Sequence, residues 1–184
     1  MIFPRHDYLT QQLSGKTFGA IGTGGIGKAA VRIAQGFNME TVGYDVNRDD
    51  ELVDDNSFQY IEQETVFQKA DYIGLYAPAI PATKNTVDKQ ALTEMSDDAV
   101  LINTARAHLV DHEAVLRALN NGGLRGALVD VVDTSYEDKF FSHEKTMVTP
   151  HHAFYTEQAL ENMAVQAEEA VTALENKERP ETAL

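Results

Sequence analysis

The 184-residue sequence predicts an α/β fold of the doubly wound type, a single domain with one mainly parallel sheet between two layers of helices. Short apolar segments alternate with segments whose apolar residues recur at helical spacing, which is typical of strand–helix–strand crossover units. A glycine-rich turn joins the first of these strands to the first helix. The length allows one domain with a core of its own and is too short for two ordinary domains.

The strands are predicted from short apolar runs that turn residues bound. The first run is KTFGAIG, and it ends in the glycine-rich turn. We expect six strands, at residues 16–22, 41–45, 72–76, 99–103, 124–129 and 146–148. A parallel sheet of this kind binds ligands at the carboxyl ends of its strands, so we look for functional residues there.

Helices are predicted between these strands from apolar spacing and from end signals. Residues 26–37 carry apolar side chains on one helix face: Ile26, Ala29, Ala30, Ile33 and Phe37. Residues 65–70 fit a second, short helix. Asp88 can cap a third that runs to about Met95, because an aspartate satisfies free N–H groups of a first turn.

Asp111 is predicted to cap the next helix, and Gly122–Gly123 to end it, because glycine adopts the left-handed conformation that follows many helices. Its inward face is Ala114, Val115, Ala118 and Leu119. The last predicted helix has the clearest apolar stripe on one face, which consists of Leu160, Met163, Ala164, Ala167, Ala170, Val171 and Leu174. The domain is therefore predicted to cover 16–176, between a polar lead-in at 1–15 and a tail at 177–184.

Composition excludes several classes of function. The chain has 29 acidic and 15 basic residues and a formal charge of −14, so it repels nucleic acid and anionic membrane surfaces. It has no cysteine, which excludes disulfides, thiolate catalysis and cysteine-bound zinc. No apolar run is long enough to span a bilayer, and the first residues lack the layout of a secretory signal. We therefore expect a cytoplasmic protein.

The glycine-rich turn, Gly22-Thr23-Gly24-Gly25-Ile26-Gly27, contains the pattern G-x-G-x-x-G between a strand and a helix. Gly22 permits the tight turn, Gly24 leaves room for a pyrophosphate, and Gly27 allows the helix to pack closely on the strand. The helix start offers backbone N–H groups and a partial positive charge to the diphosphate. The pattern predicts a dinucleotide-binding Rossmann domain; the alternative is a glycine-rich turn without a ligand.

Asp45 ends the second predicted strand, 18 residues after Gly27, where dinucleotide-binding domains place an acid that accepts hydrogen bonds from ribose hydroxyls. This carboxylate would repel a 2′-phosphate. Arg48 is nearby, but the same segment is crowded with acids: Asp49, Asp50, Glu51, Asp54 and Asp55. We therefore predict NAD rather than NADP as the cofactor.

Five ordered segments carry a resemblance to a known family. They are Leu13 to Thr17 leading into the glycine loop, Ala70 to Pro78 with Pro81 and Thr86, Leu101 to Asp111, Gly126 to Asp130, and Thr149 to Thr156. The third is similar to N-x-[AS]-R-G-x-L-V-D and the fifth to a T-P-H motif. Together they resemble the D-2-hydroxyacid dehydrogenases, and the run HAFYT resembles the D-lactate dehydrogenase branch.

The resemblance implies an NAD-dependent oxidoreductase that acts on CH–OH groups and interconverts D-2-hydroxy acids and 2-keto acids. It implies that His151 exchanges the hydroxyl proton and that Arg106 binds the substrate carboxylate through its planar fork. It further implies cofactor contacts for Gly22, Gly24, Gly25, Ile26, Gly27 and Asp45, for Ala77, Pro78 and Thr83 on the adenine and ribose side, and for Thr104, Ala105 and Asp130 near the nicotinamide. Homodimerisation through the cofactor domain is implied as well.

The sequence departs from the family pattern in three places. Ala107 follows Arg106 where the family usually has glycine, which would matter if the position needs a positive φ. Ser135 stands where counting without gaps places the family's glutamate, the partner of the histidine, and Glu137 is the nearest substitute. A separate substrate domain, which would need about 100 further residues, is missing from the sequence.

These departures leave alternatives open. The chain is predicted to be the NAD-binding half of an active enzyme, whose hydroxy or keto acid binds once a substrate domain is supplied. The second hypothesis is a fragment or split-enzyme half that binds NAD without catalysis, and the third is a dimerising interaction protein. His108 and His112 have the spacing of a zinc pair, but His108 precedes the helix cap, so no metal site is predicted.

Overall fold

A computed structural model describes residues 11–54 and 57–179 of the chain. The predictions for residues 1–10, for Asp55 and for residues 180–184 lie outside this part. The chain divides into two units, Met1–Pro150 and His151–Leu184, and each is described by itself. The predicted domain limits of 16 and 176 stay a prediction.

Seven strands of the first unit form one sheet. They are β1 (Thr17–Ile21), β2 (Glu40–Tyr44), β3 (Phe58–Tyr60), β4 (Tyr72–Leu75), β5 (Val100–Asn103), β6 (Gly126–Val129) and β7 (Thr146–Val148). Their order is β3-β2-β1-β4-β5-β6-β7, and all six pairings are parallel. The direction of winding reverses between β1 and β4, the point at which such sheets bind ligands. The predicted doubly wound α/β class is confirmed.

Six α-helices belong to this unit within the described residues. They are α1 (Gly25–Gly36), α2 (Asp50–Val53), α3 (Gln63–Lys69), α4 (Lys89–Glu94), α5 (His112–Asn121) and α6 (Glu137–Phe141). The Asp88 and Asp111 side chains accept from the N–H groups of Ala91 and Ala114, as the capping prediction requires. Gly122 ends α5 in the left-handed conformation with φ of 75°.

The larger core lies on the face of the sheet that α3, α4 and α5 cover. Val66 and Phe67 of α3 and Val115 and Leu119 of α5 are buried against the central strands. Ala114 is buried as well, and Ala118 is partly buried against the same core, so the predicted inward face of α5 is confirmed. The carboxyl ends of β1, β2 and β4 are thereby fixed at one edge of the sheet.

The smaller core lies under α1, whose buried face is not the one that the sequence predicted. The apolar stripe that revealed the helix is largely exposed: Ile26 at 74%, Ile33 at 63% and Phe37 at 54%. The buried face consists of Gly27, Val31 and Ala34 instead. These side chains are small, so the helix axis can approach the sheet closely.

The second unit contains α7 (Glu157–Glu175), which Thr156 caps by accepting from the N–H of Ala159. None of its residues is buried. Neither α7 nor any other helix of the described residues combines the length and apolarity required to cross a bilayer.

Candidate cofactor-binding site

The glycine turn is packed against the end of β4 so tightly that two of its positions have no room for a side chain. Gly22 has a φ of 93°, and a Cβ atom there would lie 2.7 Å from the backbone N of Ala77. A Cβ atom on Gly27 would lie 2.0 Å from the carbonyl oxygen of Gly22. The turn therefore requires glycine at both positions, as its sequence predicts.

The other two glycines of the turn face open space. A Cβ atom on Gly24 or Gly25 would meet nothing within 4 Å. Gly24 is the N-cap of α1, where no side chain accepts from the first N–H groups, and the first turn of the helix contains no acid. A helix start with accessible N–H groups, a partial positive charge and no side chain in front of it fits the diphosphate of a dinucleotide.

Asp45 follows β2 and faces the same turn. Its Oδ2 accepts from the N–H of Thr23 at 2.6 Å, and its Oδ1 accepts from the N–H of Asn47 at 2.9 Å. These contacts fix the carboxylate beside the glycine turn. The Thr23 hydroxyl also donates to Oδ2 at 3.3 Å. A carboxylate can accept about four hydrogen bonds, so these three contacts leave capacity for a ribose hydroxyl.

Tyr60, at the end of β3, supports this arrangement from behind. Its hydroxyl lies 2.8 Å from Oγ1 of Thr23 and accepts from the N–H of Asp49 at 2.9 Å. The Arg48 guanidinium lies 5.4 Å from the centre of the Tyr60 ring. Sequence reasoning missed Tyr60, because β3 has only three residues and shows no periodicity.

The acids that crowd the segment after Asp45 are partly neutralised by α1. Lys28 pairs with Asp49 at 2.7 Å and with Glu51 at 3.4 Å, and Arg32 also pairs with Glu51. The hydrogen bond from Lys28 lowers the pKa of Asp49 below its ordinary value, and Asp49 in turn raises the pKa of Lys28. Asp45 has no cationic partner among the described residues, so it is the acid that would meet a 2′-phosphate.

A cavity of about 860 Å³ lies at the carboxyl ends of β1, β2 and β4. Six of the residues predicted to bind the cofactor line it: Gly22, Gly24, Asp45, Ala77, Pro78 and Thr83. Gly25, Ile26 and Gly27 follow directly in the first turn of α1 and are not part of its wall.

The far wall of the cavity is held in shape by Thr83. Its hydroxyl donates to the carbonyl oxygen of Pro78 at 2.5 Å and accepts from the N–H of Ile80 at 3.0 Å. The Nε2 atom of His108 lies 3.0 Å from the carbonyl oxygen of Ile80, so this histidine is engaged with the wall. Among residues 11–54 and 57–179, no group of three His, Cys, Asp or Glu side chains is arranged to hold a metal ion.

The residues predicted near the nicotinamide follow β5 and β6, further along the same edge of the sheet, and do not line the cavity. Buried Asn103 shapes the first of these turns: its amide donates to the carbonyl oxygen of Arg106 at 3.0 Å and accepts from the N–H of Ala105 at 3.1 Å. This turn carries Thr104 and leaves the Arg106 side chain exposed. Ala107 begins a 3₁₀ turn and does not have a positive φ, so the position has no need of glycine.

Asp130 directly follows β6 and is buried, with 4% of its surface exposed. Its N–H donates to the carbonyl oxygen of Asn103 at 2.9 Å, and its carboxylate accepts from the hydroxyl of Thr149. His151 begins the second unit with a φ of 57°, and its ring stands edge-on to Phe154 at 5.9 Å. The predicted catalytic roles of His151 and Arg106 stay predictions.

Comparison with known proteins agrees with this geometry. The family model described as D-isomer specific 2-hydroxyacid dehydrogenase, NAD binding domain, matches residues 3–153. D-lactate dehydrogenase of Lactiplantibacillus plantarum is 34% identical over 174 residues, which cover 84% of this chain and 51% of that protein. Glyoxylate reductase of Thermococcus litoralis is 33% identical over 159 residues, which cover 85% of this chain and 48% of that protein.

Among solved structures, the NAD-complexed D-isomer specific 2-hydroxyacid dehydrogenase of Lactobacillus delbrueckii ssp. bulgaricus superposes with a TM-score of 0.88 at 29% identity. The match covers 100% of this chain and 59% of that structure. The chain thus spans about half the length of the curated relatives it matches.

Proposed function

The chain belongs to the D-isomer specific 2-hydroxyacid dehydrogenase family as its NAD-binding domain, and on that premise we propose that it holds NAD for oxidation of a D-2-hydroxy acid to the 2-keto acid, and for the reverse reaction. One observation carries the proposal. The glycine turn and Asp45 are hydrogen-bonded to each other at the rim of one cavity, at the point where the winding of the sheet reverses.

Each part of the cavity has a role in this proposal. The start of α1 binds the diphosphate, Asp45 accepts from the adenosine ribose, and the wall formed by Ala77, Pro78 and Thr83 receives the adenine side. Thr104, Ala105 and Asp130 border the nicotinamide, at the ends of β5 and β6. When bound, NAD supplies the hydride-accepting carbon.

Arg106 and His151 act on the substrate in this proposal. The Arg106 fork binds the substrate carboxylate in a bidentate manner and orients the carbon that bears the hydroxyl. His151 takes the hydroxyl proton as the hydride leaves, and returns it to the keto oxygen in the reverse reaction.

Catalysis requires more than this chain, in our proposal. Curated relatives are about twice as long, and Ser135 stands where the resemblance places a glutamate beside the histidine. Ser135 donates to the Asp133 carboxylate through both its N–H and its hydroxyl. The alternative function, an NAD-binding module without turnover, is favoured by this serine.

Two measurements test the proposal. Calorimetry with NAD and NADP should show binding of NAD and much weaker binding of NADP, and absence of NAD binding would refute both candidate functions. The decrease of NADH absorbance with pyruvate should be negligible for the 184-residue chain, because water is not excluded from an open site. Clear pyruvate-dependent oxidation of NADH would instead favour an active enzyme.

We further propose that the chain self-associates as a homodimer through this domain and acts in the cytoplasm. The family resemblance and the exposed apolar face of α1, formed by Ile26, Ile33 and Phe37, support the dimer. Light scattering should give twice the monomer mass, and Ile33→Glu should reduce it to the monomer value. A wild-type monomer would contradict this proposal.

A further inference from the structure

His112, the first residue of α5, is an almost fully buried histidine with 8% of its surface exposed. Its ring stacks on Tyr136, with 5.4 Å between ring centres and 19° between planes. It stands edge-on to Phe140 of α6, at 5.6 Å and 77°. The His112 ring therefore packs the start of α5 against the segment that follows β6.

The same ring makes a directional contact with that segment. Nε2 of His112 accepts from the backbone N–H of Asp133 at 3.3 Å, and His112 is also hydrogen-bonded to the backbone of Val110. A neutral imidazole has one acceptor nitrogen and one donor nitrogen. Since Nε2 accepts, the proton is on Nδ1, and a second proton on Nε2 would face the Asp133 N–H donor to donor.

The segment between Asp130 and Tyr136 is thus held at two points. Asp130 is fixed to the sheet by Asn103 and Thr149, as described above. Asp133 lies three residues after Asp130, and its backbone N–H is held by His112. The Asp133 carboxylate in turn accepts from the hydroxyl of Ser135. Asp130 has its own anchors to the sheet, so the residues whose placement is coupled to the state of the imidazole are Asp133 and Ser135.

We propose that His112 is a positioning residue for the nicotinamide end of the site: its neutral ring holds residues 131–136 in place after the fixed Asp130, and its protonation releases them. This inference rests on the proposed function, because that function places the nicotinamide beside Asp130. The contacts themselves belong to the described structure.

The electrostatic surroundings favour the neutral ring. Burial lowers the pKa of His112 below its ordinary value, against the opposing effect of the Asp133 and Asp111 carboxylates. Lys139 of α6 lies 5.1 Å from the centre of the Tyr136 ring and adds a positive charge on that side. The ring therefore stays neutral, and the contact intact, at the ordinary histidine pKa, and the contact is lost as the pH falls through the lowered pKa.

Two variants and two ligands test the proposal on the 184-residue chain. His112→Phe keeps the stacked ring but removes the acceptor, and His112→Gln keeps an acceptor that does not titrate. ADP-ribose has the adenosine and diphosphate of NAD but no nicotinamide. Its affinity therefore reports on the part of the site that the segment held by His112 does not border. His143→Phe is the matched control, because Nδ1 of His143 accepts from the Lys145 N–H at 3.1 Å, away from residues 130–136.

In the wild type and in His143→Phe, NAD affinity should fall about 2- to 10-fold as the pH is lowered from 7.5 through the His112 pKa, the equivalent of one hydrogen bond, while ADP-ribose affinity stays constant. His112→Phe should show the weakened NAD affinity throughout this pH range. His112→Gln should keep the wild-type affinity of pH 7.5 throughout the range. A pH dependence that persists in His112→Gln overturns the proposal.

The Asp133 amide provides a readout that is independent of NAD. In ¹⁵N-labelled wild type its resonance should titrate with the His112 imidazole, and in His112→Gln it should not. Absence of this titration in the wild type overturns the proposal even where NAD binds. If neither NAD nor ADP-ribose binds, the proposed function fails, while the amide titration still decides whether His112 holds the segment.

Discussion

The backbone N–H of Thr23 donates to Oδ2 of Asp45 across 2.6 Å, so the glycine turn after β1 and the acid after β2 form one unit. The hydroxyl of Thr23 extends this unit to Tyr60 at 2.8 Å. Thr23 is 1% exposed and is held from both sides. The position of the carboxylate is therefore set by the protein before the ribose of a dinucleotide meets it.

Asp45→Ala should weaken NAD binding by about 10- to 100-fold, because hydrogen bonds to a charged group contribute about 1.5–3 kcal/mol. NADP should lose less affinity or gain some, since the charge that repels its 2′-phosphate is gone. Calorimetry with both dinucleotides measures the two changes. Asp97→Ala, an exposed aspartate before β5, is the control and should change neither affinity. Equal losses for NAD and NADP would contradict the assigned role of Asp45.

Tyr60→Phe should weaken NAD binding by about 2- to 10-fold, because the hydroxyl that links Thr23 to Asp49 is removed while the ring stays. The free energy of unfolding should fall by about 0.5–1.5 kcal/mol. Tyr72→Phe, in the same small core, is the matched control. If Tyr72→Phe reduces NAD affinity as much as Tyr60→Phe does, the position of the Asp45 carboxylate does not depend on the Tyr60 hydroxyl.

Gly27→Ala should lower the free energy of unfolding by about 1–3 kcal/mol, because the new Cβ atom would lie 2.0 Å from the Gly22 carbonyl oxygen. Gly25→Ala has free space around its Cβ position and should be neutral or stabilise α1 by up to about 1 kcal/mol. Urea denaturation of both variants measures the difference. Similar stabilities for the two would refute the close packing of the turn.

Asp71 joins β4 to β1 by accepting from the Thr17 N–H and from Lys16, both at 2.9 Å. Burial raises the pKa of Asp71, but these two donors lower it more, so that the pKa lies below its ordinary value of 3.8. Its contribution to stability is therefore present above pH 3.8 and is lost as the pH falls through the lowered value.

Asp71→Asn should accordingly lower the free energy of unfolding by about 1–2 kcal/mol at pH 7 and by less at pH 3. Urea denaturation at the two pH values provides the comparison, with Asp97→Asn as the exposed control. A difference from wild type that grows on acidification would show that the sign of this linkage is wrong.

Much of this fold could be predicted because its signals are local. Six strands were predicted, each within a few residues of its observed position, and the Asp88, Asp111 and Gly122 end signals of α4 and α5 are all present. The glycine turn was predicted for the same reason. The crowding at Gly22 and Gly27 allows only glycine at these positions, and the spacing of the glycines is visible in the sequence.

Other features depend on contacts that a single sequence does not reveal. β3, α2 and α6 have three to five residues each, too few to show a period. The inward face of α1 was not identified, because apolar residues occur on both sides of the helix and only packing decides between them. The role of Tyr60 depends on the pairing of β3 with β2, which joins residues distant in the chain.

The close approach of Gly22 to Ala77 has a consequence for how the first unit responds to its ligand. It brings the two halves of the sheet together at β1 and β4, and the cavity takes its walls from both halves. A dinucleotide bound there bridges them. At a free concentration 100 times its dissociation constant, it would raise the free energy of unfolding by about 2.7 kcal/mol. The supply of dinucleotide would then govern how much of the domain is folded as well as how much of it is occupied.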